Sequence, residues 1–487
     1  MWMDFLRRRR PRKSSTSRRE HNRRRQRNPQ RRLFAEALED RRLLTVGYLA
    51  DLAPPQGFVL NSVVPQDQAG RSVSSAGDIN RDGFDDLLVG APVDKNFPAG
   101  SGAAYVVYGK ADGFSNLNLE LTVEPDGFPL YGLVAQDHAG FSVSDAGDIN
   151  GDGFHDFIIG APGADRPHPQ GFVYGNGESY VVFGGDYLIR PALYNLNGSN
   201  GFKILGNAAY DRTGYSVSGA GDVNGDGFDD LLIGAPVDDQ SFYGTGQSYL
   251  LFGKADGFAS TVNVWQIASS GAGLRFRGID AEDHMGFSVS GAGDINGDGY
   301  ADFAIGAPFA DKRVHDGLLP GSGEAYLIFG GPSIESDVTR LDGTNGFRIA
   351  GFASYDRAGY SVDSAGDING DGIDDLLISA PADQLVAVHP GQTYVIFGKE
   401  SGFDPVLDLG SLDGTNGFSL FGIDGADHAG WSVSGGGDVD GDGIDDLLIG
   451  VPFADQYSST LAFYGVGEVY VVFGRDTGFP NRVVLGA

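Results

Sequence analysis

The apolar residues of this chain come in short runs broken by Gly, Pro, Asn and Asp, and the runs lack the period of an amphipathic helix. One stretch reads Gly214-Tyr-Ser-Val-Ser218, an acidic segment, Leu231-Leu-Ile-Gly-Ala-Pro236, a polar loop, Tyr249-Leu-Leu-Phe-Gly253, a linker and Leu274-Arg-Phe-Arg-Gly278. Each run is strand-length, rich in β-branched and aromatic residues, and bounded by turn formers. The order recurs six times, with start-to-start spacings of 70, 74, 72, 73 and 71 residues measured at the acidic segments. A period that regular means a repeat architecture. Four strands per repeat with no helix between them predict an all-β chain, a β-propeller of four-stranded blades. Six blades are expected, with seven as the alternative.

The acidic segments carry the candidate chemistry. The template Asp222-Val-Asn-Gly-Asp226-Gly-Phe-Asp-Asp230 has side-chain oxygens at positions 1, 3, 5 and 9, and Gly at 6, where a chain wrapping a hard cation turns sharply. Counting position 7 as well, the six candidate ligand sets are Asp78, Asn80, Asp82, Phe84 and Asp86; Asp148, Asn150, Asp152, Phe154 and Asp156; Asp222, Asn224, Asp226, Phe228 and Asp230; Asp294, Asn296, Asp298, Tyr300 and Asp302; Asp367, Asn369, Asp371, Ile373 and Asp375; and Asp438, Asp440, Asp442, Ile444 and Asp446. Asx-turns that bind nothing use the same residue types, but a bare turn does not require an acid at position 9. Up to six Ca²⁺ ions are therefore expected, with Arg81 setting the first loop apart. Position 12 is apolar (Val89, Ile159, Ile233, Ile305, Ile378 and Ile449), so the loop is not an EF-hand.

Charge divides the chain. Of its 487 residues, 1–45 hold 16 of the 35 Lys and Arg but 5 of the 65 acids. This basic leader lacks the apolar content to fold and is expected to be disordered, followed by a linker at 46–56 and the propeller at 57–487. The acidic body has no basic groove, which argues against nucleic acid as a partner. No Cys is present, which excludes disulfides, and no run of about 20 apolar residues offers a transmembrane helix.

Three motifs recurring in fixed order make residues 57–487 resemble the FG-GAP repeats of the integrin alpha-subunit propeller. Gly-Ala-Pro stands at 90–92, 160–162, 234–236 and 306–308, with Ser379-Ala-Pro381 and Gly450-Val-Pro452 as variants; Ala-Gly-Phe-Ser-Val at 139–143 and Thr-Gly-Tyr-Ser-Val at 213–217 match the Phe-Gly element. The resemblance implies that the acidic loop joins the first two strands of a blade. It also implies a protein or glycan ligand on the opposite face, where Phe97, Phe172, Tyr174, Phe242, Tyr243, Tyr457, Phe463 and Tyr464 lie in variable loops. Integrin propellers have seven blades, only some with calcium loops, so integrin function does not transfer wholesale. Residues 33–45, Leu-Phe-Ala-Glu-Ala-Leu-Glu-Asp-Arg-Arg-Leu-Leu-Thr, resemble a box near the N-terminus of exported planctomycete proteins, which implies export.

Catalytic signatures are missing. The eight His form no metal-binding pair, and those after Asp137, Asp283 and Asp427 read as exposed turn residues. No nucleophile elbow or phosphate loop occurs. The expected function is an exported calcium-binding adhesion or ligand-binding module and not an enzyme. The alternatives are a purely structural surface repeat protein and, less favoured, a non-catalytic appendage related to lipid-anchor phospholipase D enzymes. An extra copy of the fourth-strand motif, Gly57-Phe-Val-Leu60, precedes the first blade, and none follows Tyr470-Val-Val-Phe-Gly474. Residues 57–63 are therefore expected to pair with 470–474 and seal the ring.

Overall fold

The computed structural model describes residues 58–485 apart from loop segments, chiefly 94–99, 120–125, 186–190, 238–243, 383–389, 458–461 and 464–466. The leader, the linker, and Phe97, Phe242, Tyr243 and Tyr464 lie outside the described residues.

Each repeat is one antiparallel meander. In the third blade Val217–Gly221, Asp230–Ala235, Gln247–Leu251 and Gly273–Arg277 pair in chain order, placing Val217, Ile233, Tyr249 and Arg275 side by side. The first strand ends in a bulge between Gly219 and Gly221, and equivalent bulges precede every acidic loop. Gly221 takes φ 71°, a left-handed conformation that costs Gly little and aims the chain into Asp222. The inner strands pack in chain order from Ser72–Gly77 to Ser432–Gly437, which makes a six-bladed propeller. One short helix, Val264–Ser270, interrupts the linker of blade three, where strand patterning alone gave no sign of it.

The core is five layers between blades and a smaller cluster on blade one, where Val89, Tyr105 and Val107 pack with Leu60 and Leu117. Residues alternate along each strand, so Leu232, Leu250 and Phe276 of blade three meet Val289, Ile305 and Tyr326 of blade four, while Ile233 and Tyr249 meet blade two. The Gly of Gly-Ala-Pro is needed for this contact. A Cβ at Gly234 would lie 2.1 Å from the Gly286 carbonyl oxygen of the next blade, and Gly90, Gly160 and Gly306 stand in the same relation to Gly140, Gly214 and Gly359. At Gly450 a Cβ would meet only Ser432 of its own blade. Gly234→Ala should therefore destabilise by about 1–3 kcal/mol, while Gly450→Ala leaves the melting temperature unchanged; equal losses in thermal melts would refute the close-approach account.

The expected seal is not formed. Leu60–Asn61 pairs in parallel with Leu117–Asn118, and Phe58 stacks on Phe114 with centroids 4.2 Å apart. The same arrangement ties the fourth strands of blades two, four and five to the linker of the following blade, with Phe202 on Phe258, Phe347 on Phe403 and Phe418 on Phe479. The extra segment is thus a fourth strand by its packing, held to blade one by that stacking. Among the described residues the sixth blade keeps three strands in its sheet. Its outer face is open: Val469 is 64% and Val471 37% exposed, whereas Ser179, Ala325, Val181 and Leu327 at the equivalent positions are fully buried. On blade one Val73 is 66% exposed where Val143 and Val217 are 5%.

Candidate metal centres

All six acidic loops join the first and second strands and share one hydrogen-bond scheme. In the third, Asp222 Oδ1 accepts from the backbone N–H of Gly225 (2.7 Å) and Asp226 (3.0 Å), and Oδ2 from Gly227 (2.8 Å). Asn224 Oδ1 accepts from Asp226 N (2.8 Å), and Asp226 Oδ1 from Phe228 N (3.1 Å). Position 1 accepts from the N–H groups of positions 5 and 6 in the same way at Asp78, Asp148, Asp294, Asp367 and Asp438. Position 6 is always Gly with φ between 84° and 91°; position 4 is also left-handed, at 57° for Arg81 and 68–81° for the five Gly. The sequence reading accounted for position 6 and overlooked position 4.

Arg81 leaves its own loop. Its Nε donates to the Gly153 carbonyl (2.6 Å) and its guanidinium lies 4.3 Å from the Phe154 ring, both in the second loop. The first loop therefore keeps its acceptors free of that charge.

Position 9 is fully buried and has work of its own. Asp230 Oδ1 accepts from Gly253 N (2.8 Å), just past the third strand, and Oδ2 from Val223 N (3.2 Å). Asp86, Asp156, Asp302, Asp375 and Asp446 accept from Gly109, Gly184, Gly330, Gly398 and Gly474. The inference that only a metal explains an acid at 9 is corrected here, since the carboxylate also ties the loop to the third strand. Position 8 was missed altogether. Asp229 accepts from Asp148 N of the preceding blade (2.7 Å), as Asp374 does from Asp294 N and Asp445 from Asp367 N.

These carboxylates are costly as they stand. Burial, then the charges at positions 5 and 1, pushes Asp230, Asp302, Asp375 and Asp156 up to about 8 and Asp86 to about 7, against backbone hydrogen bonds that lower them. Asp156 Oδ2 is buried with no hydrogen-bond partner. Oxygens of Asp438, Asp440 and Asp442 lie within 4.8 Å of one another. Among the described residues no Lys or Arg forms an ion pair with a loop carboxylate. A hard, oxygen-seeking cation fits this donor set. Asn369 is the exception, turning its amide N–H toward Asp375 (3.2 Å).

On the other face Tyr174 is 56% exposed. The turn His are less exposed than expected: His428 is buried, with Nδ1 2.8 Å from the Pro381 carbonyl oxygen, because the turn folds back on the preceding Pro of the motif. No described helix is long and apolar enough to cross a membrane.

Residues 69–107, 141–182, 213–251, 285–328, 358–396 and 429–472 match the family model described as FG-GAP repeat. The chain is 30% identical to integrin alpha-5 of Xenopus laevis over 264 residues, 53% of this chain and 21% of that protein. It is 27% identical to integrin alpha-PS2 of Drosophila melanogaster, covering 56% and 18%. A third relative, phosphatidylinositol-glycan-specific phospholipase D of Bos taurus, is 26% identical over 85% of this chain and 46% of its own length. The chain thus spans about a fifth of these integrins and under half of the phospholipase.

Proposed function

Because the chain belongs to the FG-GAP repeat family, we propose that it is an exported, calcium-binding propeller that holds a protein ligand outside the cell. The observation that carries this reading is six acidic loops of one build whose carboxylates have no Lys or Arg partner among the described residues, the sixth bringing oxygens of Asp438, Asp440 and Asp442 within 4.8 Å of one another. Ca²⁺ would be held by positions 1, 3, 5 and 9 with the position 7 carbonyl, and would supply the missing positive charge. Similarity to integrin alpha chains supports ligand binding. The likeness to a phospholipase supports a second reading as an appendage of such enzymes; catalysis by this chain itself is not proposed.

Calorimetric titration of the chelated protein with Ca²⁺ should give up to six sites with dissociation constants of roughly 10⁻⁴ to 10⁻³ M, and Asp226→Ala should remove one. Capture from native cell-surface extract should recover a partner in calcium and release it in chelator. No binding heat would sink the metal assignment, whereas calcium binding without a partner would favour the structural repeat protein.

A further inference from the structure

Strand order places the turn before each first strand on the face away from the acidic loops, together with the loops between second and third strands. In every blade this turn has the same build. A buried acid (Asp137, Asp211, Asp283 and equivalents) accepts backbone N–H groups within the turn, as Asp137 Oδ2 does from Val134 N and Asp211 Oδ2 from Ala208 N. The next residue is Gln68, His138, Arg212, His284, Arg357 or His428, each with φ between 54° and 64°. Three residues later comes Arg71, Phe141, Tyr215, Phe287, Tyr360 or Trp431.

These last residues meet around the propeller axis. Phe141, Tyr215, Phe287, Tyr360 and Trp431 form a chain of rings with successive centroids 4.9, 5.0, 4.9 and 5.0 Å apart, and the Arg71 guanidinium stands 4.6 Å from Phe141. Blade one thus contributes a cation where the other five contribute rings. Arg357 lies over Phe309, 4.0 Å from its centroid, and Phe309 in turn touches Phe287. Burial raises the Tyr215 and Tyr360 hydroxyls, the latter to about 12, and Arg71 pulls both down, helped by Arg212 on the first and Arg357 on the second. Arg71 is therefore close to two rings that come from blades three and five.

Arg71 and Arg212 are exposed, and neither has a carboxylate partner among the described residues. The Tyr215 and Tyr360 hydroxyls likewise have no hydrogen-bond partner there, while the exposed Glu282 lies near His284. The result is a patch of N–H and O–H donors, rimmed by half-buried rings, on a protein with 65 acids against 35 Lys and Arg. Resting on the ligand-binding reading above, we infer that this axial mouth takes an acidic peptide segment of a protein partner, with a carboxylate on Arg71 and Arg212 and flanking aliphatic side chains on the rings. Guanidinium matches carboxylate with paired, charge-assisted hydrogen bonds. Successive rings are tilted by 46–53°, so they offer clefts for aliphatic groups in place of one flat platform for a sugar.

The test is fluorescence anisotropy of labelled, blocked Gly-Leu-Glu-Leu-Gly on the full chain in calcium, beside its Gln and Lys counterparts and with inorganic phosphate as competitor. The Glu peptide should bind best, with the Gln and Lys peptides and the Arg71→Gln and Arg212→Gln variants each about tenfold weaker, as loss of one charge-assisted hydrogen bond implies. Both variants should melt like the parent, since both side chains are exposed. No binding of the Glu peptide, equal binding of all three, preference for Lys, unchanged affinity in both variants, or displacement by phosphate as effective as by unlabelled peptide would each overturn the inference. If calcium-dependent capture persists while the Glu peptide fails, this inference falls and the ligand-binding reading stands.

Discussion

Removing divalent cations should lower the melting temperature by about 10 °C. At ten times its dissociation constant each proposed calcium site would contribute RT ln 11, about 1.4 kcal/mol, and six independent sites about 8 kcal/mol. Unfolding entropy of about 2.1 cal/mol/K per residue makes that roughly 9 °C for a propeller of this size, before carboxylate repulsion is added. The loss should depend on pH. In the cation-free protein the position 9 carboxyls of the first five loops are raised from 3.8 to about 7 or 8, so the folded state binds more protons than the unfolded state in between. Stability then falls as pH rises through this window, and the chelated protein should melt higher at pH 5 than at pH 8. Bound calcium would hold these groups ionised, flatten the dependence, and stabilise more at pH 8 than at pH 5. Calorimetric melts that coincide in excess calcium and excess chelator at pH 8 would remove the metal from the account.

Val181→Asp should abolish folding, whereas Val471→Asp should be nearly silent. The two valines hold the same place in the third strand of blades two and six, yet Val181 is fully buried and Val471 is 37% exposed. An unpaired carboxylate in the layer between blades two and three costs several kcal/mol, enough to consume most of a typical protein's stability. On the open face of blade six the same change is expected to stay within about 0.5 kcal/mol. It should also reduce self-association, because Val469, Val471 and Phe473 form an exposed apolar strip on an edge strand. Thermal melts and sedimentation velocity check both halves. If Val471→Asp melts as low as Val181→Asp, blade six is packed against something in solution.

The repeat number, the strand order and all six acidic loops could be read without coordinates, because the pattern recurs along the chain every 70–74 residues and each loop is built from nine consecutive residues. Alternation at period two specifies a strand wherever it stands, and Asp-x-Asn-Gly-Asp-Gly builds its turn from its own backbone N–H groups, as Asp222 and Asn224 do. The Gly-Ala-Pro glycine was visible as a motif, but its reason, the carbonyl of the next blade 2.1 Å from an imagined Cβ at Gly234, was not.

What the sequence by itself determined is the repeat: a run of strands with one acidic loop between the first and the second. What only the tertiary structure decided is the relation between blades, which involves residues some 70–80 positions apart. The position 8 acids cap the preceding loop, as Asp229 caps Asp148. The residue before each first strand joins a chain of rings about the axis, including Arg71 where an aromatic stands in the other repeats. The segment at Phe58 packs on Phe114 of blade one, so that among the described residues the third strand of blade six is unpaired on its outer side. Local patterning ranks each segment by its fit to a strand, and Gly57-Phe-Val-Leu60 fits the fourth-strand pattern equally well at either end of the row of blades. The stacking energy that chooses between those ends exists only once the chain has brought distant side chains together.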